Sequence, residues 1–433
     1  MTGAFTLVLF AAAILATVAS GLPILTGIVA GFLILAGHGL LRGFSVKALL
    51  PMMGKGVAST WRIAIVLALI GMLTGSWRVS GTVARIVADA AGLVTPEWCL
   101  PAIFLLNAAM STLLGTSFGT AATLGVVSMT LANAFGVDPI LSGGAVLAGA
   151  YVGDRCSPVS TSAALVAVVT GTNLYSNLAR MVRTGAAAFI ASTILLVALG
   201  IFLPVSGGQA SAEAAKLFER EFTLSPLAWI PAAVLVGLVL ARVPIRWTMA
   251  ASILSAAAAA RILEDASWSA IGAALLTGHV CADAEVGRMM NGGGLASMVN
   301  VCAIILISST YSGLLEGTGL VDCVRKAIPA LARRVTPFGA ILLTAIATSA
   351  VTCSQALAVM LTDELCKDVC PDRDRMASHL ENTAIVVSPL IPWSIAGAVP
   401  IASIGAPAAC VIAAFYLWLL PLMNLIREAA WRR

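Results

Sequence analysis

The chain has 433 residues, 60% of them hydrophobic and only 10% charged, with a net charge of +5. Ordinary soluble domains carry roughly a quarter charged residues, so this is the composition of a membrane protein. The small positive excess reflects basic loops on one side of a bilayer, and no nucleic-acid partner is expected.

Residues 1–41, 184–212, 289–315, 335–362 and 382–426 contain no Asp, Glu, Lys or Arg. A bilayer span needs about 20 apolar residues, so several of these runs are long enough to cross twice. Lipid offers no water to backbone polar groups, which forces such runs into helices. Period-2 alternation is absent, which excludes an outer-membrane barrel. The expected fold class is therefore an all-α polytopic membrane protein of about ten to twelve crossings.

The first run has no basic leader and continues through Gly21-Leu22-Pro23 into a second apolar run, so it reads as a helical hairpin, not a secretory signal. Arg42, Lys47, Lys55 and Arg62 follow it, and Arg180 and Arg183 come later. Arg242, Arg246, Arg325, Lys326, Arg333, Arg334, Arg427, Arg432 and Arg433 complete the basic set. Basic loops stay inside, so these positions and the C-terminus are expected in the cytoplasm. The acidic connections at residues 89–97, 207–221 and Glu264-Asp265 then face out. Nine cysteines show no metal-ligand spacing and read as packing residues.

Three short matches recur in the same order. Thr116-Ser117-x-x-Thr120 and Thr348-Ser349-x-x-Thr352 lie 232 residues apart, Ser157-Pro158 and Ser388-Pro389 lie 231 apart, and Gly81-Thr82 and Gly317-Thr318 lie 236 apart. Corresponding points also fall on opposite sides by the charge rule, so the chain reads as two inverted-topology repeats, 1–205 and 224–433, joined by an external polar linker at 206–223. Inverted repeats of this kind carry a solute site where helices break near mid-membrane.

The breaks are visible as proline set among hydroxyl residues. In GDRCSPVSTSAAL, residues 153–165, Pro158 cannot continue the hydrogen-bond ladder, and Ser157, Ser160, Thr161 and Ser162 can satisfy the loose backbone or hold an ion. LENTAIVVSPLIPWSIAG, which begins one residue before Glu381, repeats the device with Pro389 and Pro392. Asp154 and Glu381 are the carboxylates nearest the two breaks. A charge at mid-membrane costs about 2.5–3.5 kcal/mol, which marks both as functional candidates and as candidate sodium ligands. The plain alternative is that Asp154 pairs with Arg155. Asn382, Ser157, Ser160, Thr161 and Ser388 would supply oxygen ligands or orient the breaks. Ser117, Thr120, Thr352 and Gln355 lie in Ser/Thr clusters that read as tips of short, re-entrant helices, the alternative being bonds to the preceding turn. Arg78 and Glu316 occupy similar places in the two repeats and could pair, or snorkel to the interface. Gly115-Thr116-Ser117-Phe118-Gly119 matches the G-x-S-x-G elbow of serine hydrolases, but that elbow follows a strand and the preceding residues have a membrane-helix pattern. An intramembrane serine hydrolase is the remote alternative. No P-loop, dinucleotide fingerprint or H-E-x-x-H is present, so no cofactor is expected and the chain does not read as an enzyme.

The stretches LIGMLTGSWRVSGTV, LGTSFGTAATLGV, AGAYVGDRCSPVSTSAALVAVVTGTNLYSN, NGGGLASMVN, YSGLLEGTGLV, CSQALAVML and LENTAIVVSPLIPWSIAGA, in this order over most of the chain, resemble the NhaC-type sodium/proton antiporter family. The resemblance implies a multi-pass secondary transporter of the bacterial inner membrane, with inverted repeats, re-entrant hairpins and a transport domain sliding against a scaffold. Sodium ions and protons would be the coupling ions, and the bilayer, a small cation or a small organic solute the partners, with a homodimer open. Asp154 and Glu381 stand at family positions. After Ser-Pro-x-Ser, however, the family carries Asp followed by Thr-Thr, and here Thr161, Ser162 and Ala163 stand there; likewise Asn173 replaces Asp and Ser394 replaces Asn. Threonine can ligate sodium but cannot carry a proton, and exchange through one site needs a group that both can occupy. Either Asp154 or Glu381 takes that role, or the solute is an amino acid or carboxylate bound by half-helix N-termini.

Overall fold

The computed structural model describes residues 3–20, 22–91, 95–202, 218–241, 243–283, 286–287, 290–320 and 332–431. Every regular element among them is a helix or helical turn, and strand-like pairing is limited to one bridge between His279 and Gly292. Most of the linker expected at 206–223, together with Arg242, Arg325, Lys326, Arg432 and Arg433, lies outside the described residues; Phe218 and Phe222 at the linker's end are buried.

In the first half, α1 (Gly3–Ala19) and α2 (Ile24–Leu41) form the N-terminal hairpin, with Pro23 as the N-cap of α2. The 34-residue α3 (Val46–Val79) bends by 46° between its two parts. After α4 (Thr82–Ala91) comes α5 (Pro96–Leu114), then the one-turn α6 (Ser117–Thr120), which runs through a π-turn into α7 (Val126–Ala134). α8 (Pro139–Cys156), α9 (Thr161–Thr170) and α10 (Leu174–Phe202) close this half.

The second half contains α11 (Ile230–Leu240), α12 (Ile245–Leu263), α13 (Trp268–Leu276) and α14 (Val299–Thr318). They are followed by α15 (Pro337–Thr352), α16 (Gln355–Cys366), α17 (Arg373–Asn382), the short α18 (Ala384–Val387), α19 (Ile395–Ser403) and α20 (Phe415–Trp431). Among the described residues, four helices are long and apolar enough to cross a bilayer alone, and up to six if each bent pair counts as one. The larger number expected from the apolar runs is not reached this way, because much of that sequence folds into helices of 17 residues or fewer, about 25 Å long at most.

Packing gathers these helices around separate cores. Phe104, Tyr151, Ala188 and Tyr416 join α5, α8, α10 and α20, while Val166, Ile341, Val359 and Leu380 join α9, α15, α16 and α17. Trp77, Val83, Leu235 and Met249 join α3, α4, α11 and α12, and Phe10, Ile28 and Tyr311 join α1, α2 and α14. Close approach of α8 to α5 depends on small residues: a Cβ at Gly149 would stand 2.6 Å from the Phe104 carbonyl oxygen.

Candidate functional site

Both proline-marked segments are interrupted, and the two interruptions meet. Pro158 has no N–H to offer the Asp154 carbonyl four residues earlier, so α8 stops at Cys156. The Ser160 hydroxyl donates to that freed carbonyl instead. The same Oγ caps α9 by accepting from the Ser162 amide at 3.1 Å and the Ala163 amide at 3.2 Å. Ser157 donates to the Thr112 carbonyl at 2.7 Å. Both serines therefore serve backbone. The Asp154 side chain, 3% exposed, accepts from Ser162 Oγ at 2.9 Å and from Gln355 Nε2 at 3.5 Å, and the Ser117 amide also faces it. Thr161 is exposed and lines a separate cavity of about 360 Å³ with Thr116 and Val159.

At the second break α17 ends at Asn382, where Thr383 leaves helical geometry with φ −127° and ψ −82°. Pro389 frees the Ile385 carbonyl, and Gln355 Nε2 takes it at 3.0 Å. One glutamine thus touches both breaks. Ser388 donates to the Ala384 carbonyl at 2.7 Å and shares a 2.8 Å contact with the Ser349 hydroxyl. Glu381 is fully buried, and neither of its carboxylate oxygens has a hydrogen-bond partner among the described residues.

Arg155 turns away from Asp154. Its guanidinium donates to the Glu381 carbonyl (3.2 Å), Asn382 Oδ1 (2.5 Å), Thr184 Oγ1 (3.0 Å), the Met181 carbonyl (3.1 Å), Tyr416 OH (3.1 Å) and Cys156 Sγ (3.1 Å). The Asp154–Arg155 ion pair considered from sequence is absent among the described residues. Adjacent residues near a helix end point in different directions, and the pocket between α10, α17 and α20 supplies the donors' partners. Sequence reasoning weighed the two carboxylates and missed this arginine, although a charge in so apolar a run was itself the signal.

The Ser/Thr clusters lie at helix interruptions, in an unexpected register. α5 ends at the left-handed Gly115 (φ +64°) and α6 starts after Thr116; α15 ends at the left-handed Cys353 (φ +56°) and α16 starts after Ser354. Thr116–Thr120 therefore follows the first tip, whereas Thr348–Thr352 precedes the second. Thr120 donates to the Thr116 carbonyl at 2.9 Å and Thr352 to the Ser354 carbonyl at 3.1 Å, so both hydroxyls bond locally. Ser117 lies at the N-terminus of α6, preceded by a helix and a left-handed turn, which is not the strand context of a hydrolase elbow. Arg78 donates to the Met290 carbonyl at 3.2 Å and to the Asn291 carbonyl; the Glu316 side chain lies outside the described residues.

A cavity of about 730 Å³ opens between α3, α14 and the starts of α16 and α19, lined among others by Lys55, Phe118, Gly313, Ser354 and Gln355. Gln355 is the link from this cavity to Asp154. A smaller cavity of about 300 Å³ reaches Asn382 and Thr184 beside Arg375 and Glu428. The site therefore offers one buried carboxylate with hydroxyl and amide neighbours next to an open cavity, and a second carboxylate sealed behind an arginine.

Residues 1–173 and 149–426 match the family model described as the Na+/H+ antiporter family. The chain is 28% identical over 378 residues to the Na(+)/H(+) antiporter NhaC of Alkalihalophilus pseudofirmus, covering 83% of this chain and 80% of the relative. It is 27% identical over 403 residues to the NhaC of Bacillus subtilis, covering 89% and 87%. It is also 25% identical over 373 residues to the arginine/ornithine antiporter ArcD of Halobacterium salinarum, covering 82% and 76%. With nearly its whole length matched and its two interrupted helices joined at a buried polar cluster, the chain belongs to the Na+/H+ antiporter family.

Proposed function

We propose that the chain is a secondary active transporter that exchanges a small cation, sodium in the first instance, for protons by alternating access. Asp154 is the group that cation and proton occupy in turn. Ionised, it accepts from Ser162 and Gln355; a sodium ion arriving there finds oxygens of Asp154, Ser162 and Gln355 within reach, and a proton displaces it by neutralising the carboxylate. Glu381 is its counterpart in the second half. The observation that carries this reading is Gln355, which lines the large cavity, bonds Asp154 at the first break and holds the Ile385 carbonyl freed at the second.

In this reading residues 1–205 and 224–433 are inverted repeats, and α5–α6 and α15–α16 are re-entrant hairpins. The paired left-handed tips at Gly115 and Cys353 support that view. The helices around the breaks form a transport domain that slides against α3, α14 and their neighbours, with Lys55 and the C-terminus in the cytoplasm. A second reading, an exchanger of an amino acid or other organic carboxylate, is favoured by the cavity itself. Its volume of about 730 Å³ far exceeds a bare sodium ion, and among the described residues Lys55 is the only charged one lining it.

Purified protein in liposomes loaded with a pH-sensitive dye separates the two. Sodium-driven dequenching with no need for an organic solute supports cation/proton exchange. Uptake of a labelled amino acid or carboxylate with no proton movement on adding sodium or potassium overturns it.

A further inference from the structure

Each hairpin tip is fastened to the broken helix that follows it in the same half. In the first half the Ser157 hydroxyl donates to the Thr112 carbonyl, 45 residues away, and a Cβ at the tip residue Gly115 would stand 2.6 Å from the Val159 carbonyl carbon. In the second half three consecutive residues after Pro392 do the fastening. Trp393 Nε1 donates to the Ala350 carbonyl at 2.9 Å, 43 residues away. The Ile395 amide donates to the Cys353 carbonyl at 2.8 Å, and the Ser394 hydroxyl reaches the same carbonyl at 3.4 Å.

These bonds fall where the second tip needs them. The last carbonyls of a helix have no partner within it, and Ala350 lies in the last turn of α15, where the Ser354 amide turns to Thr352 Oγ1 at 3.4 Å. Cys353 holds a left-handed conformation (φ +56°), which a side-chain-bearing residue keeps only when its surroundings impose it. Among the described residues Ser354, the N-cap of α16, makes no capping bond, so the start of that helix is not fixed locally. That start is Gln355, whose amide nitrogen reaches Asp154 and the Ile385 carbonyl. The direction of the tip therefore sets the place of Gln355. Trp393 is itself held from the other side, because its ring packs against the core cluster of Phe10, Ile28, Tyr311 and Cys353. A ring seated on that cluster, with its N–H on the last turn of α15, fixes the tip against α1, α2 and α14.

We propose that Trp393 is a positioning residue for cation binding: its indole N–H holds the α15–α16 tip so that Gln355 reaches Asp154. This rests on the cation/proton reading above. Trp393 acts through Gln355 and not on the cation itself. Its loss therefore weakens cation binding while the maximal rate is nearly kept.

The test measures sodium-driven proton flux in proteoliposomes with an internal pH-sensitive dye, over a range of sodium concentrations. Trp393→Phe keeps an apolar ring against the cluster and removes the N–H. The half-saturating sodium concentration should rise about fivefold, the worth of one hydrogen bond, with the maximal rate within about twofold of the unaltered protein. Gln355→Ala should give a rise of the same size, and the double variant should be no worse than Gln355→Ala alone, because two residues that act on one contact are not additive. A rise of about 25-fold in the double variant, the product of two independent effects, overturns the proposal. An unchanged half-saturation in Trp393→Phe overturns it too, as does a lower maximal rate with half-saturation kept, which is what a general loosening of the fold gives. Should Trp393→Phe not insert, 3-benzothienylalanine at position 393 keeps the shape of the indole with sulfur in place of the N–H, and the same readouts decide. Absence of sodium-driven proton flux in the unaltered protein is a separate outcome and overturns the cation/proton reading itself.

Discussion

At the first break the freed Asp154 carbonyl is satisfied from just past the proline, by the Ser160 hydroxyl, whereas at the second the loose carbonyls are satisfied from other helices, by Gln355 on Ile385 and Arg155 on Glu381. The two carboxylates differ in the same direction. Asp154 has a hydroxyl and an amide donor and is one residue from an open cavity; Glu381 has no donor among the described residues. A buried polar atom without a partner costs about 1–3 kcal/mol, so the second break is the strained partner of a settled one. Such an arrangement teaches where to look for function: in the settled half for the binding group, and in the strained half for what changes between states.

This contrast can be broken most decisively at Asp154. Asp154→Asn keeps the size and the polar neighbours but removes the ionisable group. Sodium-driven proton flux should fall to that of empty liposomes while membrane insertion is normal, and a wild-type rate would remove Asp154 from the mechanism. Glu381→Met has the next largest effect, and its two readouts move in opposite senses. Replacing an unpartnered buried carboxylate with an apolar chain of similar length should stabilise the protein by about 1–3 kcal/mol, seen as a higher unfolding temperature in detergent. Exchange should drop by more than about tenfold, equivalent to 1.4 kcal/mol. A variant that is both less stable and inactive would make Glu381 a structural residue.

The helix interruptions were legible because few residues can sit where Pro158 and Pro389 sit without ending a helix, and the carboxylates because a charge in an oily run is conspicuous. The direction of Arg155 was not legible. Its partners come from α10, α17 and α20, and no local pattern encodes which of several buried carbonyls and hydroxyls will surround a guanidinium. The Thr-Ser-x-x-Thr matches misled for a related reason. Hydroxyls cap a helix start at Thr116 and bond back along a helix at Thr348, so one pattern of residues serves two sides of a tip. Ser162 escaped emphasis because its role depends on the chain folding back eight residues across the break to reach Asp154.

Smaller changes sharpen the comparison on the settled side. Gln355→Ala removes one donor from Asp154 and one from the Ile385 carbonyl; with a hydrogen bond worth about 1 kcal/mol, the half-saturating sodium concentration should rise roughly fivefold with the maximal rate nearly kept. An unchanged value would mean that the cavity reaches Asp154 by another route. Thr161→Ala should do least of all. The resemblance read from the sequence implies an aspartate at this position, yet Thr161 is exposed in its own cavity with Thr116 and Val159, and it is Ser162 that bonds Asp154. An exposed substitution away from special contacts changes free energies by about 0.5 kcal/mol or less, which is about twofold in affinity. Sodium dependence measured in liposomes should therefore stay within that range. A loss of tenfold or more would show that Thr161 swings toward the carboxylate during the cycle, and would move the cation site from the end of α8 to the start of α9.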